Sequence, residues 1–159
     1  MNGPGGDSSQ NCPTSTGFQP VLLLPVRLVS GAFGNTATPA RLRVRMRYTV
    51  SEPFSVGVEI RTGAPEALQW TVSRDLLDAG TSMPQGMGAH RIWPSRRYLL
   101  SCRRLYLGLG GPSTPVTLEL DHCEVRAWLD ATYDLVPRGS EPELLDWDAL
   151  ERELLQRRD

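Results

Sequence analysis

The stretch Arg41-Leu42-Arg43-Val44-Arg45-Met46-Arg47-Tyr48 decides the fold, because charged and apolar residues alternate along it without a break. Successive side chains of an extended strand point to opposite faces. Leu42, Val44, Met46 and Tyr48 therefore share one face and the four arginines share the other. A helix would scatter both sets around its circumference. The run predicts a strand in a sheet with one dry face and one wet face, the usual condition of antiparallel sheets. The same period recurs at Phe54, Val56, Val58 and Ile60, then at Leu68, Trp70 and Val72. Upstream, residues 21–29 form a continuous apolar strand whose Pro25 predicts a sheet edge or a bulge.

Downstream, Ser73 can cap a short helix over 74–79 that Gly80 ends. A loop with Pro84, Gly86 and Gly88 follows, and residues 89–93 resume the strand pattern up to Pro94. Residues 98–109 and 116–120 read as two antiparallel strands joined by a Gly/Pro-rich turn. Asp121 with Glu124 makes a capping box for a helix whose apolar stripe is Val125, Trp128, Leu129 and Tyr133. The linker Val136-Pro137-Arg138-Gly139-Ser140 precedes a last helix over 146–157. With Leu135 that linker spells a thrombin recognition sequence, here between two helices, where it reads as native. The expected fold is α+β: antiparallel sheet, a short internal helix and two C-terminal helices. Residues 1–19 form a Gly/Pro/Ser-rich leader, and 20–159 a single domain.

The chain of 159 residues is 40% apolar and 22% charged, enough apolar surface to fold without staples. No apolar run approaches the ~20 residues of a membrane helix. The first twenty residues carry no Lys or Arg, so the basic start of a secretory signal is missing. Three cysteines, Cys12, Cys102 and Cys123, without paired spacing indicate reduced thiols and a cytoplasmic protein. Charge is unevenly distributed: residues 21–104 hold 12 Arg against 5 acids, and residues 105–159 hold 5 Arg against 12 acids. The two halves can neutralise each other within the fold or across an oligomer.

Arg41, Arg43, Arg45 and Arg47 form the candidate surface for a partner or nucleic acid. Such a row suits the phosphates of a single strand, but base-stacking platforms are needed as well, and Tyr48 points to the other face. A solvated outer face, an acidic protein or a lipid surface are the competing readings. Trp147, Leu150 and Leu154 are the candidate oligomer interface, with packing on their own sheet as the alternative. Catalysis finds little support. The only histidines are His90 and His122, and the adjacent pair His122-Cys123 has no favoured geometry on a helix. No catalytic residue, metal site or cofactor is expected.

A set of short motifs runs in order along the chain: Arg47-Tyr48; Glu52-Pro53-Phe54-Ser55-Val56; Gly63 and Trp70; Ser73-Arg74-Asp75-Leu76-Leu77 with Gly80; Pro84, Gly86 and Gly88; Arg91-Ile92-Trp93-Pro94-Ser95; Val136-Pro137 with Gly139. This ordered set resembles the SsgA-like sporulation and cell-division proteins of actinobacteria. Physically the pieces describe a fold: prolines at strand ends and Trp70 and Trp93 as core anchors. The resemblance implies a whirly-like arrangement of two packed sheets and a homo-oligomer, with a trimer favoured. It implies a non-enzymatic scaffold or adaptor for sporulation-specific division, septum-site positioning or spore-wall assembly. The implied partners are division or cell-wall proteins, including family members and the tubulin-like FtsZ. Implied too is a cytoplasmic protein recruited to the septum. Single-stranded nucleic-acid binding through the Arg strand is the alternative function. A longer leader, and Ala89-His90 where the family often has Asp-Val, point to a divergent paralogue rather than the FtsZ-recruiting member.

Overall fold

A computed structural model describes residues 19–30, 41–61, 67–95, 103–110 and 116–156. The expected leader (all but its last residue), Cys12, Cys102, Gly63 and the turn after Gly110 lie outside the described residues. The alternating stretch is a strand, as its period requires. It is β2 (Arg41–Tyr48), flanked by β1 (Val21–Ser30) and β3 (Ser55–Arg61), with β4 (Leu68–Ser73) outermost. A second run follows: β5 (Gln85–Met87), β6 (His90–Pro94), β7 (Arg104–Leu109) and β8 (Val116–Asp121). Each run is an antiparallel meander of four strands, and each is followed by a helix. Helix α1 (Arg74–Ser82) follows β4, and α2 (His122–Leu135) follows β8. Where the resemblance implies two sheets, β1 pairs with β8 and joins the meanders into one sheet, β4-β3-β2-β1-β8-β7-β6-β5.

Register explains Pro25. The residue pairs with Arg43 of β2, but β8 reaches β1 only from Arg27 onward. Pro25 therefore sits where β1 is locally an edge, and its missing N–H leaves no ladder bond unmade. A register shift between Leu28 and Ser30 follows.

The core takes one side chain in two from the strands, including Val44, Met46, Val58, Ile60, Leu107 and Leu118. Leu77 of α1 and Val125, Trp128 and Leu129 of α2 cover it. Trp70 is partly buried against this core, as an anchor should be. Trp93 is not: its neighbour Ile92 takes the inward position, so the period turns Trp93 outward. There it stacks on Tyr106 of β7, ring centroids 5.6 Å apart.

Helix α1 runs three residues beyond the expected end. Ser73 caps it, accepting from the Leu76 N–H at 3.3 Å. Gly80 lies inside the helix and does not stop it. Its hydrogen allows close approach of β6, since a Cβ there would lie 2.3 Å from Ile92 Cγ2. The Asp121 half of the expected capping box forms: its Oδ1 accepts from the N–H groups of Cys123 (2.9 Å) and Glu124 (3.1 Å). A 3-10 turn (Glu141–Leu144) leads into α3 (Trp147–Gln156).

Candidate functional site

Strand β2 places Arg43, Arg45 and Arg47 on the outer face, with Arg43 and Arg47 exposed and Arg45 half-buried. Arg41 begins the same strand at a register position opposite Arg27. The neighbours of this row in β1 are apolar: Val21 stands opposite Arg47, and Leu23, 63% exposed, stands opposite Arg45. On the β3 side, Glu59 faces Arg45 and Gly57 faces Arg47. Glu59 accepts from Arg61 Nε at 2.6 Å. That bond holds its carboxyl below the usual range, with Arg45 and Arg47 adding to the effect. Among the described residues no carboxylate lies within ion-pair distance of Arg43, Arg45 or Arg47. Tyr48 is fully buried, so its ring cannot serve as a platform beside the row.

A second arginine centre is buried and was not legible as a site. Arg74, 1% exposed, opens α1 where the helix dipole disfavours a cation. Glu141 of the 3-10 turn compensates through a buried ion pair with Nη2. Nη1 donates to the carbonyls of Thr132 (3.2 Å) and Val136 (3.0 Å) at the end of α2. The Thr132 carbonyl also accepts from the Val136 N–H at 3.1 Å, and a cation is favoured at such a helix end. The guanidinium lies between two rings, 4.8 Å from the centroid of Tyr48 and 4.3 Å from that of Tyr133. Its Nε has no hydrogen-bond partner among the described residues. Glu141 Oε2 also accepts from the Gly139 N–H at 2.6 Å. Burial pushes the Glu141 carboxyl up, but its hydrogen bonds to backbone N–H groups and to Arg74 outweigh that and hold it below the usual range.

Asp78 extends the network. It binds Arg126 at 2.7 Å and pairs with Arg138 of the linker. The Arg138 guanidinium lies 4.9 Å from the Tyr133 ring centroid. Tyr133 donates to Asp75 at 3.2 Å, and burial, then Asp78, push its hydroxyl up to about 12. The thrombin-like linker is thus tied down at Val136, Arg138 and Gly139. The signal in sequence was faint: an arginine in the first turn of a helix contradicts the dipole and needs a partner that sequence does not name.

Helix α3 contributes nothing to the core cluster among the described residues. Trp147 is 56% exposed, and its indole N–H donates to the Pro142 carbonyl at 3.0 Å. Leu155, Asp148 and Glu151 are exposed as well. Leu150 and Leu154 lie on the same helix, their side chains outside the described set. Trp147 therefore lies outside the described core.

The described residues hold no group of three His, Cys, Asp or Glu able to bind a metal. His122 Nε2 bonds the Thr81 carbonyl at 2.8 Å, while Cys123 is exposed. A groove of about 1100 Å³ is open and lies beside edge strand β5, lined by Met83, Pro84, Arg91, Trp93 and Tyr106 among others. No described helix is long and apolar enough to cross a membrane.

Comparison with known proteins places this architecture. Residues 42–141 match the family model for the Streptomyces sporulation and cell division protein SsgA. The sporulation-specific cell division protein SsgB of Frankia casuarinae is 35% identical over 111 residues, 70% of this chain and 76% of that protein. SsgB of Streptomyces coelicolor is 33% identical over 125 residues, 79% of this chain and 87% of that one. Among solved structures, the SsgA-like sporulation-specific cell division protein of Thermobifida fusca superposes with a TM-score of 0.72 at 27% identity, over 88% of this chain and 98% of that chain. An SsgB structure reported with mutations that correlate to longitudinal cell division during sporulation of S. coelicolor gives 0.69 at 28%, over 80% and 96%. None of these relatives supports the nucleic-acid alternative.

Proposed function

The chain belongs to the SsgA family of sporulation and cell division proteins, and from that premise we propose that it is a non-enzymatic adaptor at the division septum. It acts in sporulation-specific cell division. Its partners on this reading are division or cell-wall proteins, FtsZ among them, and further copies of itself, with a trimer favoured. The observation that carries the proposal is the pair of exposed surfaces that lie outside the core. One is the outer face of β1 and β2, where arginines border exposed Val21 and Leu23. The other is α3 with exposed Trp147. Exposed apolar groups rimmed by charge are features of protein-contact surfaces. The buried Arg74 network holds the linker to α3 in one geometry and so presents that helix.

The test is a crosslinked pull-down from sporulating cells, with and without nuclease, beside imaging of a fluorescent fusion. Division or wall-building proteins recovered after nuclease, with signal at septa, support the adaptor. Recovery of nucleic acid, with protein partners lost after nuclease, overturns it.

A further inference from the structure

The two exposed surfaces are complementary to each other. The outer face of β1–β3 carries Arg27, Arg43, Arg45, Arg47 and Arg61 against a single acid, Glu59. Its apolar strip is Val21, Leu23 and Val29, all exposed. Helix α3 presents the opposite chemistry. Trp147, Glu151 and Leu155 stand at i, i+4 and i+8 and share one stripe, with Asp148 beside it; all four are exposed. Neither Asp148 nor Glu151 has an ion-pair partner among the described residues, and neither do Arg43, Arg45 and Arg47. Glu143 and Asp146, just before the helix, add exposed negative charge. The uneven charge of the two halves of the chain therefore is not cancelled on these surfaces within one copy.

We propose that α3 of one copy docks on the outer face of β1–β3 of a second copy. Trp147 and Leu155 then lie along the Val21–Leu23 strip, and Asp148 and Glu151 meet the arginine row. A helix laid by its apolar stripe into an apolar strip, with charges flanking, is a recurrent recognition mode. The two patches differ, so the contact is head-to-tail and closes into a ring when the rotation allows. This deepens the adaptor reading by naming the self-contact, and it rests on the surfaces assigned there. Its test uses purified protein alone, so it can fail while septal recruitment stands, and the reverse.

Full-length protein is examined by sedimentation across concentration, beside Arg43→Glu/Arg47→Glu, Asp148→Arg/Glu151→Arg and the chain carrying all four changes. All these positions are on the surface, and circular dichroism checks that each variant folds. Wild type self-associates. Each reversal brings like charges together and weakens association about 100-fold or more. The fourfold variant regains it. Tag capture from a mixture of the two reversed proteins recovers both, which requires contact between copies. A monomeric wild type overturns the proposal, as does association unaffected by either reversal. Failure of the folded fourfold variant to recover, or of the mixture to form mixed complexes, overturns it too.

Discussion

The arginines of β2 and the single arginine that opens α1 have the same side chain and opposite circumstances. Arg43 and Arg47 stand in water on a sheet face, with no carboxylate within ion-pair distance among the described residues. Arg74 is closed off from water and held by Glu141, two carbonyls and two tyrosine rings. The exposed row keeps its hydration, so each member contributes little to folding and remains free to meet another molecule. The buried guanidinium has lost its hydration, so every missing partner leaves a costly unpaired group. One region stays solvated on the sheet face, and the other holds the C-terminal segment in place.

The sharpest test of that contrast is Arg74→Ala. It leaves the Glu141 carboxylate and two helix-end carbonyls buried without their cation, and the expected loss is ~3–5 kcal/mol in urea unfolding. The same variant should also be cut by thrombin within Val136-Pro137-Arg138-Gly139-Ser140 faster than wild type, since the linker loses its anchor. A small loss and unchanged cleavage would break the comparison.

Gly80→Ala probes whether α1 can be held at its present distance from β6. The added methyl meets Ile92 at 2.3 Å, and overpacking of this kind costs ~1–3 kcal/mol. If α1 shifts, it carries Arg74 with it, so a larger loss would tie the buried centre to the strand packing.

Acid should separate the two regions next. The Glu141 carboxyl is held below the ordinary 4.5 in the folded chain. A depressed carboxyl lends stability above its unfolded pKa, and that stability is lost as pH falls through the folded value. Stability should therefore fall below about pH 4.5, and Glu141→Gln should flatten this part of the curve while lowering stability at neutral pH. An acid limb that survives Glu141→Gln unchanged would assign it to other carboxylates. Smallest of all, Arg43→Ala and Arg47→Ala should each stay within ~0.5 kcal/mol of wild type in urea unfolding. A loss above ~1 kcal/mol at either would show that the outer face is part of the folded core's support.

Legibility followed the same division. The alternation in β2 and β3 named the inner residues correctly within the strands because a strand's period is local and strict, while Phe54, counted with them, lies before β3 and is exposed. Asp121 and Glu124 marked the start of α2 for an equally local reason. Trp93 went astray because bulk suggested burial while the period of β6 turned it outward. Gly80 looked like a helix stop; the reason for a glycine there lies in Ile92, on another strand. Pro25 announced an edge, and only the stagger of β8 against β1 showed how a strand inside the sheet can have one.

From its own residues the chain determined the strands, their dry and wet faces, the helix starts and the uneven charge, since each depends on neighbours within a few positions. The place of Arg74 was decided by tertiary structure alone. Its partners Thr132, Val136 and Glu141 stand 58, 62 and 67 residues away. No local period reports which distant carbonyls and carboxylate will converge on one buried cation; that follows only once α1, α2 and the 3-10 turn are packed together and water is gone.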